Sequence, residues 1–158
     1  MGSLFDLFDR LEQSAVGAAI RDSLWLFPVI EAAHLLGLAL LGGAVLVVDL
    51  RLLGLGLTGR SPDYVLREAR PWLLGALATM LATGVPLFLS EAVKCYFSTA
   101  FRVKMGALAL ALLFTFAVRD RLVRRRPDLP AWQARAIAAC SLALWWTVAA
   151  AGRWIGFS

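Results

Sequence analysis

Two ionisable side chains, Glu31 and His34, lie inside a long apolar run that is typical of a membrane helix. Their spacing of three residues places both on one face of a helix. An ionisable residue at membrane depth is costly unless it is paired or solvated, so such residues usually face the bundle interior and carry function. His34 is the only histidine of the chain, which restricts the chemistry available to this face.

A single histidine argues against several metal centres. A di-iron site uses two Glu-x-x-His motifs plus two further glutamates. Zinc and copper sites need more nitrogen or sulfur ligands than one histidine and two scattered cysteines supply. Haem needs fewer protein ligands, because one histidine can hold its iron. We therefore expect His34 to bind haem b, with Glu31 beside it; the alternative is a structural pair in which Glu31 accepts a hydrogen bond from His34 or a tryptophan.

Three residues of later apolar runs are further candidates. Met80 lies near the middle of the second run, and Lys104 and Met105 lie early in the third. Each of them is either a candidate second haem ligand or a residue that only packs in the core. Glu31 lies about 10 Å into its helix at 1.5 Å per residue, and Lys104 lies near the same level. Lys104 can therefore pair with Glu31, meet a haem propionate or extend to the membrane surface.

A second group of charges follows the ends of two apolar runs. Asp49 and Arg51 follow the first run, and Arg119 and Arg121 follow the third. These two helices run in the same direction, so their ends lie on the same side of the membrane. We expect Asp49 to pair with Arg119 or Arg121, and we interpret Asp49, Arg51 and Arg119 as a structural charge cluster.

Membrane helices must position all of these residues. The 158-residue chain is 60% hydrophobic, against about 45–50% for a soluble domain, and its length suggests one domain over residues 1–158. A bilayer of about 30 Å takes about 20 helical residues. Because lipid leaves no partner for free backbone groups, such spans must be helices. The sequence predicts an all-α membrane bundle with four spans, at residues 24–48, 72–90, 101–118 and 134–151.

The start of the chain has a different pattern. Residues 1–22 place apolar side chains at helical spacing with charged residues between them, and they lack the pattern of a cleavable signal peptide. This predicts an amphipathic helix on the membrane surface. The alternative is a short helix that packs on the end of the bundle.

Basic residues predict the orientation. The formal net charge is +5, and the first and third loops together hold ten Lys and Arg, against six on the opposite side. The positive-inside rule places the ten in the cytoplasm, so both termini are predicted outside. A nucleic-acid partner is not expected, because it needs a soluble basic face. The bilayer is the partner that this composition predicts.

Three quoted segments resemble a family of small bacterial inner-membrane proteins with no assigned activity: "PVIEAAHLLGLALLGGAVLVVDLRLLGL", "RPWLLGALATMLATGVPLFL" and "AFRVKMGALALALLF". More distantly, the pattern is similar to the HemJ-type protoporphyrinogen oxidase and to CopD-type membrane domains. These resemblances imply a four-helix fold with haem b, and Arg51 and Lys104 as functional positions beside His34. The segment "VVDL" before Arg51 departs from the oxidase pattern.

Three functions remain open from the sequence. The first is a haem b or porphyrin-binding protein that transfers electrons, with quinone as a partner. The second is a channel or transporter for protons or a small solute, with Glu31, His34 and Lys104 along its path, assembled as a homo-oligomer. The third is an accessory subunit without chemistry. The chain has no Gly-rich phosphate loop and no G-x-S-x-G motif, so a hydrolase is not expected.

Overall fold

A computed structural model describes residues 4–126 and 128–156, and every regular element in these ranges is a helix. Short helices precede the first long helix and separate the second from the third. The third long helix contains a π-helical segment (Phe114–Arg119) between α6 and α7. In chain order the helices are α1 (Leu4–Glu12), α2 (Ala15–Asp22), α3 (Leu26–Leu53), α4 (Pro62–Ser90), α5 (Ala92–Phe97), α6 (Thr99–Leu113), α7 (Asp120–Arg125) and α8 (Ala131–Ile155).

Four helices are long and apolar enough to cross a membrane: α3, α4, the continuous helix Thr99–Arg125 and α8. The predicted all-α membrane bundle is therefore confirmed. The helices are longer than the predicted spans; α4 begins at Pro62 rather than near residue 72. Its first turns carry charged side chains, because a helix can continue into the polar interface where apolar side chains are no longer required.

Local signals set the short connection between α3 and α4. Gly54 ends α3 with a left-handed φ of 78°, and its N–H donates to the carbonyl oxygens of Arg51 and Leu50. Residues with a Cβ rarely adopt this conformation. Ser61 caps the start of α4 by accepting a hydrogen bond from the Tyr64 N–H at 3.2 Å. The two long helices consequently pack side by side in opposite directions.

The predicted N-terminal amphipathic segment forms two helices rather than one. Ser14 starts α2, because its hydroxyl accepts a hydrogen bond from the Gly17 N–H at 3.2 Å. In the structure α1 packs against α5, and α2 packs against α4. Both short helices therefore contact the end of the bundle. We call this end of the bundle the capped end, and the opposite end, with the loops after α3 and α7, the arginine-rich end.

Aromatic rings and one carboxylate attach α1 to the bundle. Phe8 contacts Phe88 and Tyr96, with ring centroids 5.6 and 5.3 Å apart. Glu12 accepts a hydrogen bond from the Val93 N–H at 2.6 Å, at the start of α5. Such edge-to-face ring pairs add to the stabilisation from burial. The capped end is therefore covered by residues from the start of the chain.

Two apolar clusters form the bundle core. α3 packs most extensively on α4, and α6 on α8, with α3 also packing on α8. Small residues at these contacts let the helix backbones approach closely. The middle cluster consists of Leu41, Ala44, Val45, Leu73, Ala76, Ala107, Ala111, Trp145 and Val148. The second cluster, nearer the arginine-rich end, consists of Val48, Leu52, Val65, Leu66, Val123 and Ala138.

Gly17 is expected to be required for docking of α2 on α4. A Cβ at this position would lie 2.5 Å from the Leu89 carbonyl oxygen. Gly17→Ala should therefore displace α2 and destabilise the protein by about 1–3 kcal/mol, as overpacking does. Thermal unfolding of the detergent-solubilised protein measures this loss. Gly42→Ala is the control, because a Cβ there meets nothing within 4 Å; equal losses in both variants would contradict the prediction.

Candidate functional site

A side chain of the neighbouring helix fixes the His34 ring. Its Nδ1 lies 2.7 Å from Thr83 Oγ1 on α4, and that hydroxyl lies 2.7 Å from the Thr79 carbonyl oxygen. A hydroxyl has one proton, so both hydrogen bonds form together only when the imidazole donates from Nδ1 and Thr83 donates to Thr79. The tautomer inferred from this network leaves the Nε2 lone pair of His34 open.

Gly84 brings the α4 backbone close to the same ring. A Cβ at position 84 would lie 3.2 Å from His34 Cε1, closer than side chains usually pack. Thr83 and Gly84 therefore position the imidazole from two adjacent residues. An acceptor that holds Nδ1–H and leaves Nε2 open is the usual arrangement around a metal-binding histidine.

His34 lines a cavity of about 250 Å³ in the half of the bundle near the capped end. Side chains from α3, α4, α5, α6 and α8 form its wall. The rings of Phe88 and Phe101, on α4 and α6, stack at a centroid distance of 5.6 Å and form part of this wall. The structure thus gathers four residues that the sequence singled out around one cavity: Glu31, His34, Met80 and Lys104. Met105, the further candidate, is exposed on α6.

Lys104 reaches the cavity from α6 across Gly152 of α8. A Cβ at Gly152 would lie 3.6 Å from Lys104 Cε, so the glycine leaves room for the lysine chain. Within residues 4–126 and 128–156, no carboxylate lies within 4.0 Å of its ammonium group. Glu31 is exposed, and the Glu31–Lys104 ion pair considered from the sequence does not form. The half-buried ammonium group of Lys104 can therefore interact with a ligand in the cavity.

A second polar site lies deeper, towards the arginine-rich end. Arg119 Nη1 donates to Asp49 Oδ1 at 3.1 Å, and its Nε donates to Asp120 Oδ1 at 3.1 Å. Ser141 Oγ of α8 lies 3.5 Å from the same Nη1. Each of these four residues is at most 4% exposed. We call Asp49, Arg119, Asp120 and Ser141 the buried charge cluster.

Arg51 does not belong to the buried charge cluster. Its Nε donates to the Arg60 carbonyl oxygen in the connection between α3 and α4. Residues two positions apart do not share a helix face, so Arg51 points away from the face that carries Asp49. Of the three residues expected to form a structural charge cluster, the structure brings Asp49 and Arg119 together, and Asp120 lies beside them.

The π-helical segment turns the third long helix so that its charges face inward. In an α-helix, a step of four residues departs from one face by about 40°, and a π turn is wider and reduces this drift. Thr115, within the segment, accepts a hydrogen bond from Trp145 Nε1 at 3.0 Å. Buried residues accordingly recur every four positions along this helix: Ala107, Ala111, Thr115, Arg119 and Val123.

An apolar layer separates the cavity from the buried charge cluster. His34 and Asp49 are 15 residues apart on α3, which is about 22 Å along the helix. Leu41, Ala44 and Val45 of the middle core cluster occupy the stretch between them. The cavity therefore lies towards the capped end, and the charge cluster towards the arginine-rich end.

The sequence interpretation did not single out Thr83, Asp120 or Ser141. Thr83 and Ser141 are polar residues inside apolar runs, and this pattern could have marked them as candidate site residues. Asp120 directly follows Arg119, and neighbouring positions in an α-helix point about 100° apart. Both lie buried together at the end of the π-helical segment.

Thr83→Val should change the state of the His34 ring. Valine keeps the shape of threonine but cannot accept the Nδ1 proton, so the preference for the Nδ1–H tautomer is lost. Nitrogen NMR of labelled protein, at a pH where the imidazole is neutral, reports this residue alone because the chain has one histidine. The control is Thr147→Val, since that hydroxyl donates to the Ala143 carbonyl oxygen on α8. If the nitrogen chemical shifts of His34 were unchanged in Thr83→Val, the assigned Nδ1–H tautomer would be refuted.

Cys95 of α5 also lines the cavity, and burial raises the pKa of its thiol to about 11, with the Glu91 carboxylate adding to the shift. The thiolate is the reactive form, so at pH 8 about one thiol in a thousand is reactive. In Cys140→Ser protein, alkylation of Cys95 should accelerate about tenfold per pH unit from pH 8 to about pH 10. A rate that levels off below pH 9 would contradict this burial effect.

A family model described as "Family of unknown function (DUF6644)" matches residues 16–158. The match includes all four long helices, so the chain belongs to this family. No curated protein and no solved structure matches the chain.

Proposed function

We propose that this member of the DUF6644 family binds haem b or another porphyrin in the cavity, with His34 Nε2 as an axial ligand of the metal. The observation that carries the proposal is the pair of hydrogen bonds from His34 to Thr83 and from Thr83 to Thr79. They hold Nδ1–H and leave Nε2 with an open lone pair inside a cavity. The same arrangement orients the ring of metal-binding histidines.

Other residues of the cavity suit the same ligand. Lys104 and Arg153 place two basic side chains at its wall, as the carboxylates of a haem require. Met80 supplies a thioether from α4 as a candidate second axial ligand. Bound haem would supply one-electron chemistry, which fits exchange of electrons with a membrane quinone.

The volume of the cavity favours a second candidate ligand, the head group of a quinone. Ligand pockets for molecules of drug size hold about 300–1,000 Å³, whereas this cavity holds about 250 Å³. A single ring fits within it, but a porphyrin requires the wall residues Phe88 and Phe101 to separate. His34 Nε2 would accept a quinol O–H, and the Lys104 ammonium group would donate to the other oxygen.

A channel or transporter has less support from the arrangement of polar groups. The apolar layer lies between the cavity and the buried charge cluster, and a proton path needs groups that exchange protons within hydrogen-bond reach. An accessory subunit without chemistry would leave the open Nε2 of His34 and the unpaired Lys104 without a role.

We infer that the arginine-rich end faces the cytoplasm and that the chain lies in a bacterial inner membrane. The loops at this end and the adjoining helix turns hold ten of the sixteen basic residues, and such loops are retained on the cytoplasmic side. The cavity then opens towards the outer half of the membrane, and both termini lie outside. The bacterial assignment is supported by the sequence resemblance.

Visible spectra of protein expressed with added haem test the first candidate. Wild type should show a Soret band that shifts on reduction with dithionite, and His34→Ala should lose it. Thr83→Val should bind haem about 10–100-fold more weakly, because it removes the acceptor that orients the ligand. Met105→Leu, on the exposed face of α6, is the control and should bind like wild type. A wild-type spectrum without a Soret band would refute haem binding.

Fluorescence quenching by a short-chain quinone tests the second candidate on haem-free protein. Quenching that saturates in wild type, and weakens about tenfold or more in both His34→Ala and Lys104→Gln, is expected if two hydrogen bonds hold the head group. Met105→Leu again serves as the control. Equal quenching in all four proteins would show partition into detergent rather than binding.

A further inference from the structure

The buried charge cluster contains more acidic groups than basic groups. Asp49 and Asp120 supply two carboxyl groups, and Arg119 supplies one guanidinium, all at most 4% exposed. With both carboxyls ionised the cluster has a formal charge of −1. A net charge in such surroundings is strongly disfavoured, because little water reaches it.

Two carboxyl oxygens of the cluster also lack hydrogen-bond donors. Asp49 Oδ1 and Asp120 Oδ1 both accept from Arg119, but Oδ2 of each residue is buried with no donor within 3.5 Å among the described residues, although the Ser141 hydroxyl lies beside the Asp49 carboxyl. Buried polar atoms in folded proteins are nearly always hydrogen-bonded, and exceptions usually mark a bound species or a functional group. Both the charge count and the free oxygens therefore indicate one additional positive charge.

We propose that the buried charge cluster binds one proton at neutral pH, carried on Oδ2 of Asp49, which is the more deeply buried of the two carboxyls. The proton makes the cluster neutral and converts one acceptor oxygen into a donor. A metal ion is a poorer match, since hard cations take about six to eight oxygen ligands. The cluster offers two free carboxyl oxygens and the hydroxyl of Ser141.

The elements packed around the cluster bring no further charge to it. α8 contributes the neutral Ser141 hydroxyl. α4 contributes the apolar side chains of Val65, Leu66 and Leu73 to the flanking core clusters. On α3, Arg51 is directed to the Arg60 carbonyl oxygen. Arg119 is thus the one cation in contact with the two carboxyls among the described residues.

The position of the cluster determines the side with which the proton exchanges. Asp49 lies four residues before the end of α3 at Leu53, about 6 Å along the helix. The middle core cluster blocks the other direction. The proton therefore enters from the arginine-rich end, independently of any ligand in the cavity.

Infrared spectroscopy of wild type at neutral pH tests the proposal directly. A protonated carboxyl gives a carbonyl-stretch band that ionised carboxylates lack, and carbon-13 labelling of aspartate assigns the band to this residue type. We expect one such band, shifted by the label and slow to respond to deuterium oxide. Absence of an aspartate band at neutral pH would overturn the proposal, and this readout does not depend on any variant folding.

Single substitutions provide the second test. Asp49→Asn and Asp120→Asn each leave one carboxylate facing Arg119, so each variant should fold and lose the band. Asp63→Asn, which alters an exposed ion pair with Arg67, should keep it. The double variant leaves Arg119 buried without an anion and should not accumulate as folded protein. A band that persists in both single variants, or thermal stability that depends on sodium or potassium while the band is absent, would overturn the proposal.

Discussion

The ion pair between Asp49 and Arg119 connects the first and third long helices at a depth where both side chains are almost fully buried. Removing the guanidinium of such a pair costs about 3–5 kcal/mol, because the buried carboxylates are left without a cation. The pair therefore sets the register of α3 against the π-helical segment. Ser141 extends the contact to α8, and α4 covers the site with apolar side chains. All four long helices consequently meet at this level.

The half of the bundle near the capped end is built differently. There side chains of five helices surround a cavity, and its lining includes the ionisable groups of Glu31, His34 and Lys104. His34 is held by Thr83 but keeps Nε2 open, and Lys104 keeps its ammonium group without an ion-pair partner in the described part of the chain. Side chains that the protein does not satisfy are the ones available to a ligand, so the proposed binding function belongs to this half.

The apolar layer places the two polar sites in different halves of the bundle. The cavity is nearest the capped end, which α1, α2 and α5 cover. The buried charge cluster is nearest the arginine-rich end. Since Leu41, Ala44 and Val45 separate them, the proposed ligand and the proposed proton occupy sites that do not contact each other.

Much of the architecture could be predicted from the sequence, because long apolar runs in lipid have no alternative to helices. The four spans, the amphipathic start of the chain and the placement of Glu31 and Lys104 near one level follow from hydropathy and helix rise. The sequence alone did not identify Thr83 as the partner of His34, since that contact joins residues 49 positions apart. Nor did it show that Arg119 and Asp120 lie buried together, because that depends on contacts of Arg119 with Asp49 on α3 and Ser141 on α8. The sequence by itself determined the long apolar helices, whereas the tertiary structure decided which of their polar side chains are paired and which remain open, because pairing depends on packing between helices.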